Sequence, residues 1–152
     1  MQVPFTKMNS QGNDFIVIDN TNIHYQFSNT QIKGMCSRGT IGCDQLLILN
    51  VEDENNISCE IFNQDGSTAE QCGNGLRAIM LYLNREYGFT SCTIFVNLIP
   101  YNATYISQDK IQVNMGFATF IEDIPTLALP CNKITKDNFF YNVAINDDSS
   151  SW

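Results

Sequence analysis

The chain has 152 residues, 43% of them apolar and 16% charged, with a net charge of −8 when its one histidine is neutral. One domain with a sizeable core is the first expectation at that length. The acid excess, with no Lys/Arg cluster to neutralise phosphates, argues against nucleic acid as a partner. No apolar run reaches the roughly 20 residues of a membrane span, and the start "MQVPFTKMNSQ" lacks an apolar signal core, so the expected compartment is the cytoplasm, with no membrane partner.

Residues 3–8 and 14–19 ("DFIVID") read as two strands joined by "NSQGN". Ser28 is placed to cap a short helix running to about Cys36, with Ile32 and Met35 or Cys36 facing inward, and "SRGTIG" ends it. "QLLILNV" (45–51) and "ISCEIF" (57–62) are strands around the turn "EDENN". "NQDGS" is a second turn by composition.

A long helix is predicted from about 73 to 87. Leu76, Ile79, Met80, Leu83 and Tyr87 recur at the spacing of one apolar face, and Gly88 stands where a left-handed stop belongs. Strands follow at 91–97, 102–107 and 110–115, the last two joined through "QD" as a hairpin. The stretch "NLIPYNAT" lacks the glycine expected of a turn between the first two. Beyond about 118 the texture changes: "DIPTLALPCNKITKDN" reads as a crossover, and "FFYNVAI" (139–145) as a strand with no visible partner. The fold class implied is α+β, a curved and mostly antiparallel sheet wrapped around a central helix. The expected organisation is a domain over 1–117, then a crossover and the first strand of an incomplete second domain over 118–152, its remainder truncated.

The six cysteines, at 36, 43, 59, 72, 92 and 131, include no C-x-x-C pair, and His24 is remote from any of them. A zinc site is therefore not expected, and most of these side chains should be reduced, buried and apolar in character. Cys72 differs. It immediately precedes the long helix in "EQCGNGLRA", where backbone N–H groups lack partners and the helix dipole is positive. Both influences favour a thiolate. Gly73 and Gly75, flanking Asn74, let backbone donors approach a ligand carboxylate or phosphate closely, and such an anion pushes back against the thiolate. A cysteine balanced in that way can serve as a general acid or base. The glycines do not form a dinucleotide fingerprint, because the residue three after Gly75 is Ala78. Asn13 in "QGNDF", Gln45 in "GCDQ" and Asn63 in "FNQDGS" all fall at element ends. They read equally as ordinary turn residues or as the lining of a polar pocket.

The stretches "FTKMNSQGNDFIVID", "SRGTIGCDQLLI", "IFNQDGSTAEQCGNGLRA" and "IQVNMG" occur in one order over roughly residues 3–116. Together they resemble diaminopimelate epimerase, in its N-terminal portion. The resemblance implies inversion at one α-carbon of diaminopimelate by two cysteines on opposite faces, with no metal and no pyridoxal cofactor. Cys72 matches the first of those cysteines. Asn74 and the backbone of Gly73 match groups that hold the substrate near the reacting centre, and Asn13, Gln45 and Asn63 match side chains that contact it. The family's second cysteine belongs to a C-terminal half not matched here, so the chain alone is expected to be inactive in epimerisation. Two other readings stay open: a naturally truncated binding module that covers its open face as a homodimer, and a racemase of another amino acid.

Overall fold

The computed structural model describes residues 2–116 together with the strands Cys131–Asp137 and Phe140–Ile145. The chain separates into two compact units, Met1–Gly116 and Phe117–Trp152. In the first unit seven strands form one sheet in sequence order: β1 (Thr6–Ser10), β2 (Asn13–Asp19), β3 (Gln45–Asp53), β4 (Asn56–Asn63), β5 (Ser91–Val96), β6 (Ile99–Ser107) and β7 (Lys110–Val113). Four of the six pairings are antiparallel. The parallel ones, β2 with β3 and β4 with β5, are bridged by the helices α1 (Asn29–Cys36) and α2 (Gly73–Tyr87).

The helices lie on opposite faces of the sheet, and that explains the strand sequences. Phe15 and Val17 of β2, with Leu47 and Leu49 of β3, point into a core shared with Leu76, Ile79, Met80 and Leu83 of α2. Their alternates Ile16, Ile18, Leu46 and Ile48 point into a second core with Ile32 and Cys36 of α1. Strands buried on both faces need unbroken apolar runs, hence "FIVI" and "LLIL". β4, covered on one face, alternates buried and exposed along Ile57–Ile61. α2 touches β1 and β2 at one end of the sheet and β5, β6 and β7 at the other, so the sheet curls around it.

Local chemistry sets the boundaries. β1 and β2 are joined by Gln11 and Gly12, both left-handed, as a two-residue hairpin requires. Ser28 and Gln31 form a reciprocal capping box at the start of α1. Gly88, at φ 75°, closes α2 by donating its N–H to the Asn84 carbonyl. Between β5 and β6 the chain turns without glycine: Asn97 and Leu98 take φ of 49° and 66°, and Leu98 projects into solvent. Asparagine adopts this region readily, whereas a leucine does so at a cost of about 1–2 kcal/mol.

Two expectations need correction. Tyr87 continues the α2 stripe by spacing but is exposed; at the end of the helix its ring stacks on Phe89 and its hydroxyl reaches Asp19. The segment read as a crossover contains the strand β8 (Cys131–Asp137), which pairs antiparallel with β9 (Phe140–Ile145). Prolines before it and lysines within it hid a strand whose β-forming residues are Ile134 and Thr135, and whose pairing supplies the rest. The crossover over 118–130 and the tail after 145 lie outside the described residues. No described helix is long and apolar enough to cross a membrane.

Candidate active site

Cys72 is the N-cap of α2, with extended backbone at φ −151° and ψ 104°. Its carbonyl accepts the Leu76 N–H at 2.8 Å, and its Sγ accepts the Gly75 N–H at 3.3 Å. Sulfur thus stands where a capping oxygen usually stands. The N–H groups of Gly73 and Asn74 lie in the first helical turn and have no acceptor within the helix. Gly75 packs between the cap and the sheet: a Cβ there would lie in ordinary van der Waals contact, 3.4–3.5 Å from Cys72 and from Leu47 of β3.

The other described cysteines are environments of a different kind. All five are free thiols, yet Cys36, Cys43, Cys59 and Cys92 are buried while Cys72 is half-exposed. Burial pushes the Cys92 thiol up to about 11 and that of Cys43 to about 12, and it raises Cys36 and Cys59 as well. Cys36 and Cys43 face each other at 3.3 Å inside the α1 core. The side chain of Cys131 lies outside the described residues.

Strand register assembles the amide side chains named from sequence. Gln45 is the partner of Phe15 across β2–β3 and of Asn63 across β3–β4, and Asn13 lies two residues before Phe15. Alternation along the strands puts Asn13, Gln45 and Asn63 on the α2 face, in one row at the same end of three neighbouring strands. Leu47, two residues in from Gln45, lies under the first turn of α2. The row and the helix mouth therefore share one end of the concave face. Gln45 donates Nε2–H to Asn63 Oδ1 at 2.9 Å, and Asn63 donates Nδ2–H to Ser67 Oγ at 3.0 Å.

Residues that sequence reasoning did not assign complete this end. Arg77, three positions after Asn74 and so on the same helix face, donates Nη2–H to Asn74 Oδ1. A guanidinium only donates, so Asn74 must turn its NH2 group away from Arg77. In the "NQDGS" turn Ser67 donates to Asp65 Oδ1 at 2.5 Å, an Asp-x-Ser spacing that signals such a turn. On the sheet face opposite the amide row, Asp14 and Asp44 accept one another's N–H groups at 2.9 and 3.0 Å. Arg38 binds both oxygens of Asp14 and reaches Asp44 at 2.7 Å, and Lys7 meets Asp14 at 2.6 Å. The Arg38 guanidinium holds the Asp14 carboxyl far below the usual carboxylate range, with Lys7 adding to it against the opposing effect of burial. This clasp fixes the strand positions adjacent to Asn13 and Gln45.

Among the described residues the buried side-chain polar atoms without a partner are Gln45 Oε1, in the amide row, and Arg77 Nε, on α2 beside Asn74. A cavity of about 560 Å³ lies elsewhere, between β2 and α1 on the other face, lined by Ile16, Ile18, Phe27, Met35 and Ile41. No described group of three or more His, Cys, Asp or Glu is arranged to hold a metal ion.

The family described as diaminopimelate epimerase matches residues 5–121 of this chain. Among curated relatives, the diaminopimelate epimerase of Nitrosospira multiformis is 41% identical over 137 residues, covering 84% of this chain and 48% of its own length. Those of Legionella pneumophila (strain Corby) and Pelagibacter ubique are 37% and 31% identical, covering 84% and 76% of this chain and 48% and 42% of their own lengths. The chain thus spans less than half the length of these relatives. Among solved structures, a predicted epimerase from Pseudomonas aeruginosa aligns with TM-score 0.54 at 12% identity, over 67% of this chain and 38% of that one. A phenazine biosynthesis protein of the PhzF family from Enterococcus faecalis gives 0.52 at 12% identity, over 69% and 41%. At such identity these two structures share the fold alone.

Proposed function

The chain belongs to the diaminopimelate epimerase family, and from that premise we propose that it carries the first-cysteine half of an epimerase that interconverts LL- and meso-diaminopimelate. In this reading Cys72, as thiolate, takes the α-proton from one face of the substrate. The N–H groups of Gly73 and Asn74 hold the adjacent carboxylate, where negative charge grows as the proton leaves. Asn13, Gln45 and Asn63 contact the rest of the molecule. Neither a metal nor pyridoxal phosphate takes part, and the working compartment is the cytoplasm. Inversion also needs a proton donor on the opposite face. Cys59 and Cys92 do not supply it, being sealed in the core, and this reading takes Cys72 as the one proton carrier of the chain, which by itself does not epimerise. Residues 1–117 are the unit that performs this half-reaction.

The observation that carries the reading is the coincidence of a half-exposed N-cap thiol with a row of three amide side chains at one end of the concave face. The test is to incubate LL-diaminopimelate with the chain in D2O. Deuterium is expected at the α-carbon without formation of the meso isomer. Conversion to meso by this chain overturns the single-thiol account, and a complete lack of both exchange and binding overturns the site assignment.

A further inference from the structure

We infer that Asp65 and Ser67 are positioning residues that fix the direction of a hydrogen-bond chain and so force Gln45 to present a bare carbonyl oxygen to the ligand. The chain runs Gln45 to Asn63 to Ser67 to Asp65, at 2.9, 3.0 and 2.5 Å. Its direction follows from the last member. An ionised carboxylate only accepts, so the single hydroxyl proton of Ser67 goes to Asp65. Asp65 is held in that form by the Ser67 hydroxyl and backbone N–H, which keep its carboxyl below the ordinary value. Having spent its proton, Ser67 Oγ can only accept from Asn63, which must therefore turn its NH2 group toward it. Asn63 then offers Oδ1 to Gln45, and Gln45 must answer with Nε2–H. Its Oε1 is left facing the other way, buried and without a donor.

The turn is built to hold this chain in place. Asn63 and Ser67 exchange backbone contact through the Asn63 N–H and the Ser67 carbonyl at 2.8 Å, and Gly66 donates its N–H to the Asn63 carbonyl at 2.9 Å. Gly66 is left-handed at φ 80°, and a Cβ there would collide with the Asn29 side chain. An orphaned acceptor at the ligand end suits an N–H donor, and an ammonium group is the strongest such donor an amino-acid substrate offers. Asn74, turned by Arg77, presents donors at the helix mouth instead. The two sides of the site thus hold opposite polarity, which matches the ammonium and carboxylate of one α-carbon. The ligand half of this inference rests on the function proposed above; the direction of the hydrogen-bond chain does not.

Two measurements separate the halves. In ¹⁵N–¹H spectra of the free chain, the side-chain NH2 of Gln45 should exchange slowly with water. Ser67→Ala should speed that exchange about tenfold, as loss of one hydrogen bond of ordinary strength allows. Ser67→Thr should restore it, and Asp65→Asn, which offers oxygen or NH2 alike, should have a smaller effect than Ser67→Ala. Unchanged Gln45 exchange in Ser67→Ala overturns the directional chain. By titration, Ser67→Ala should weaken diaminopimelate about tenfold while the same seven-carbon diacid without amino groups changes less than about twofold. Equal weakening of both ligands overturns the ammonium assignment. If the unaltered chain binds no diaminopimelate, the proposed function and the ammonium assignment fail together, and the exchange data alone decide the direction.

Discussion

The two ends of α2 are finished in opposite ways. At the C-terminal end the polar groups are paired: Asp19 accepts from Tyr82, Tyr87 and the Thr21 N–H, and Asn84 donates to the Phe89 carbonyl at 2.8 Å. Burial works to raise the Asp19 carboxyl, yet those hydrogen bonds outweigh it and leave the group below its ordinary value. At the N-terminal end a thiol caps the helix, and the orphaned polar atoms of the described residues belong to Arg77 in the N-terminal half of α2 and to Gln45 of the amide row. A buried polar atom without a partner costs about 1–3 kcal/mol. One end of the helix therefore pairs its polar groups, while the other leaves polar atoms unpaired. In the proposed function, stability and chemistry separate along a single 15-residue element.

The sharpest way to break that comparison is to alter each end and look for the wrong consequence. Cys72→Ser should reduce α-deuterium exchange by about 10³-fold, in the range lost with a general base. It should leave the unfolding free energy within about 0.5 kcal/mol, since serine is a favoured N-cap; a large loss of stability would make Cys72 structural. Leu83→Ala, in the core half of α2 with no exposed surface, should cost about 3 kcal/mol in urea unfolding. Exchange per folded molecule should be unaffected. Tyr87→Phe removes one of the donors to Asp19 and should cost about 1 kcal/mol, again without change in exchange.

The smallest effect concerns the clasp beneath the amide row. Asp14 has a carboxyl lowered from an ordinary 3.8. Its contribution is complete above that unfolded value and fades as pH falls toward the lower folded one. Arg38→Gln removes the main cause of the lowering, so stability should depend less steeply on pH below about 4. An acid limb as steep as that of the unaltered chain would place the origin of the acid sensitivity elsewhere.

Much of this was legible in the sequence because local chemistry and tertiary structure agree there. The α2 stripe, its Gly88 stop and the Ser28 cap appear where spacing and capping rules put them. The runs around Phe15 and Leu47 mark strands, although not that both faces are buried or which helix covers which face. What stayed hidden depends on non-local pairing. β8 exists through β9, the Asn97–Leu98 turn is imposed by strands on either side of it, and Tyr87 leaves the core as the last residue of α2, where its ring stacks on Phe89. In the site, Cys72 and the amide row were visible as residue types at element ends. Arg77, Asp65 and Ser67 were not, because their roles lie in the direction of hydrogen bonds, which no spacing encodes.

Among the described cysteines, the contrast between one open thiol and four sealed ones is tested most directly by limited alkylation of the native chain at neutral pH with peptide mapping, with and without diaminopimelate. Cys72 should be modified well before Cys36, Cys43, Cys59 and Cys92, and saturating diaminopimelate should slow it. A Cys72 modified no faster than Cys59 and Cys92, with or without ligand, would contradict its assignment as the proton carrier at the helix mouth.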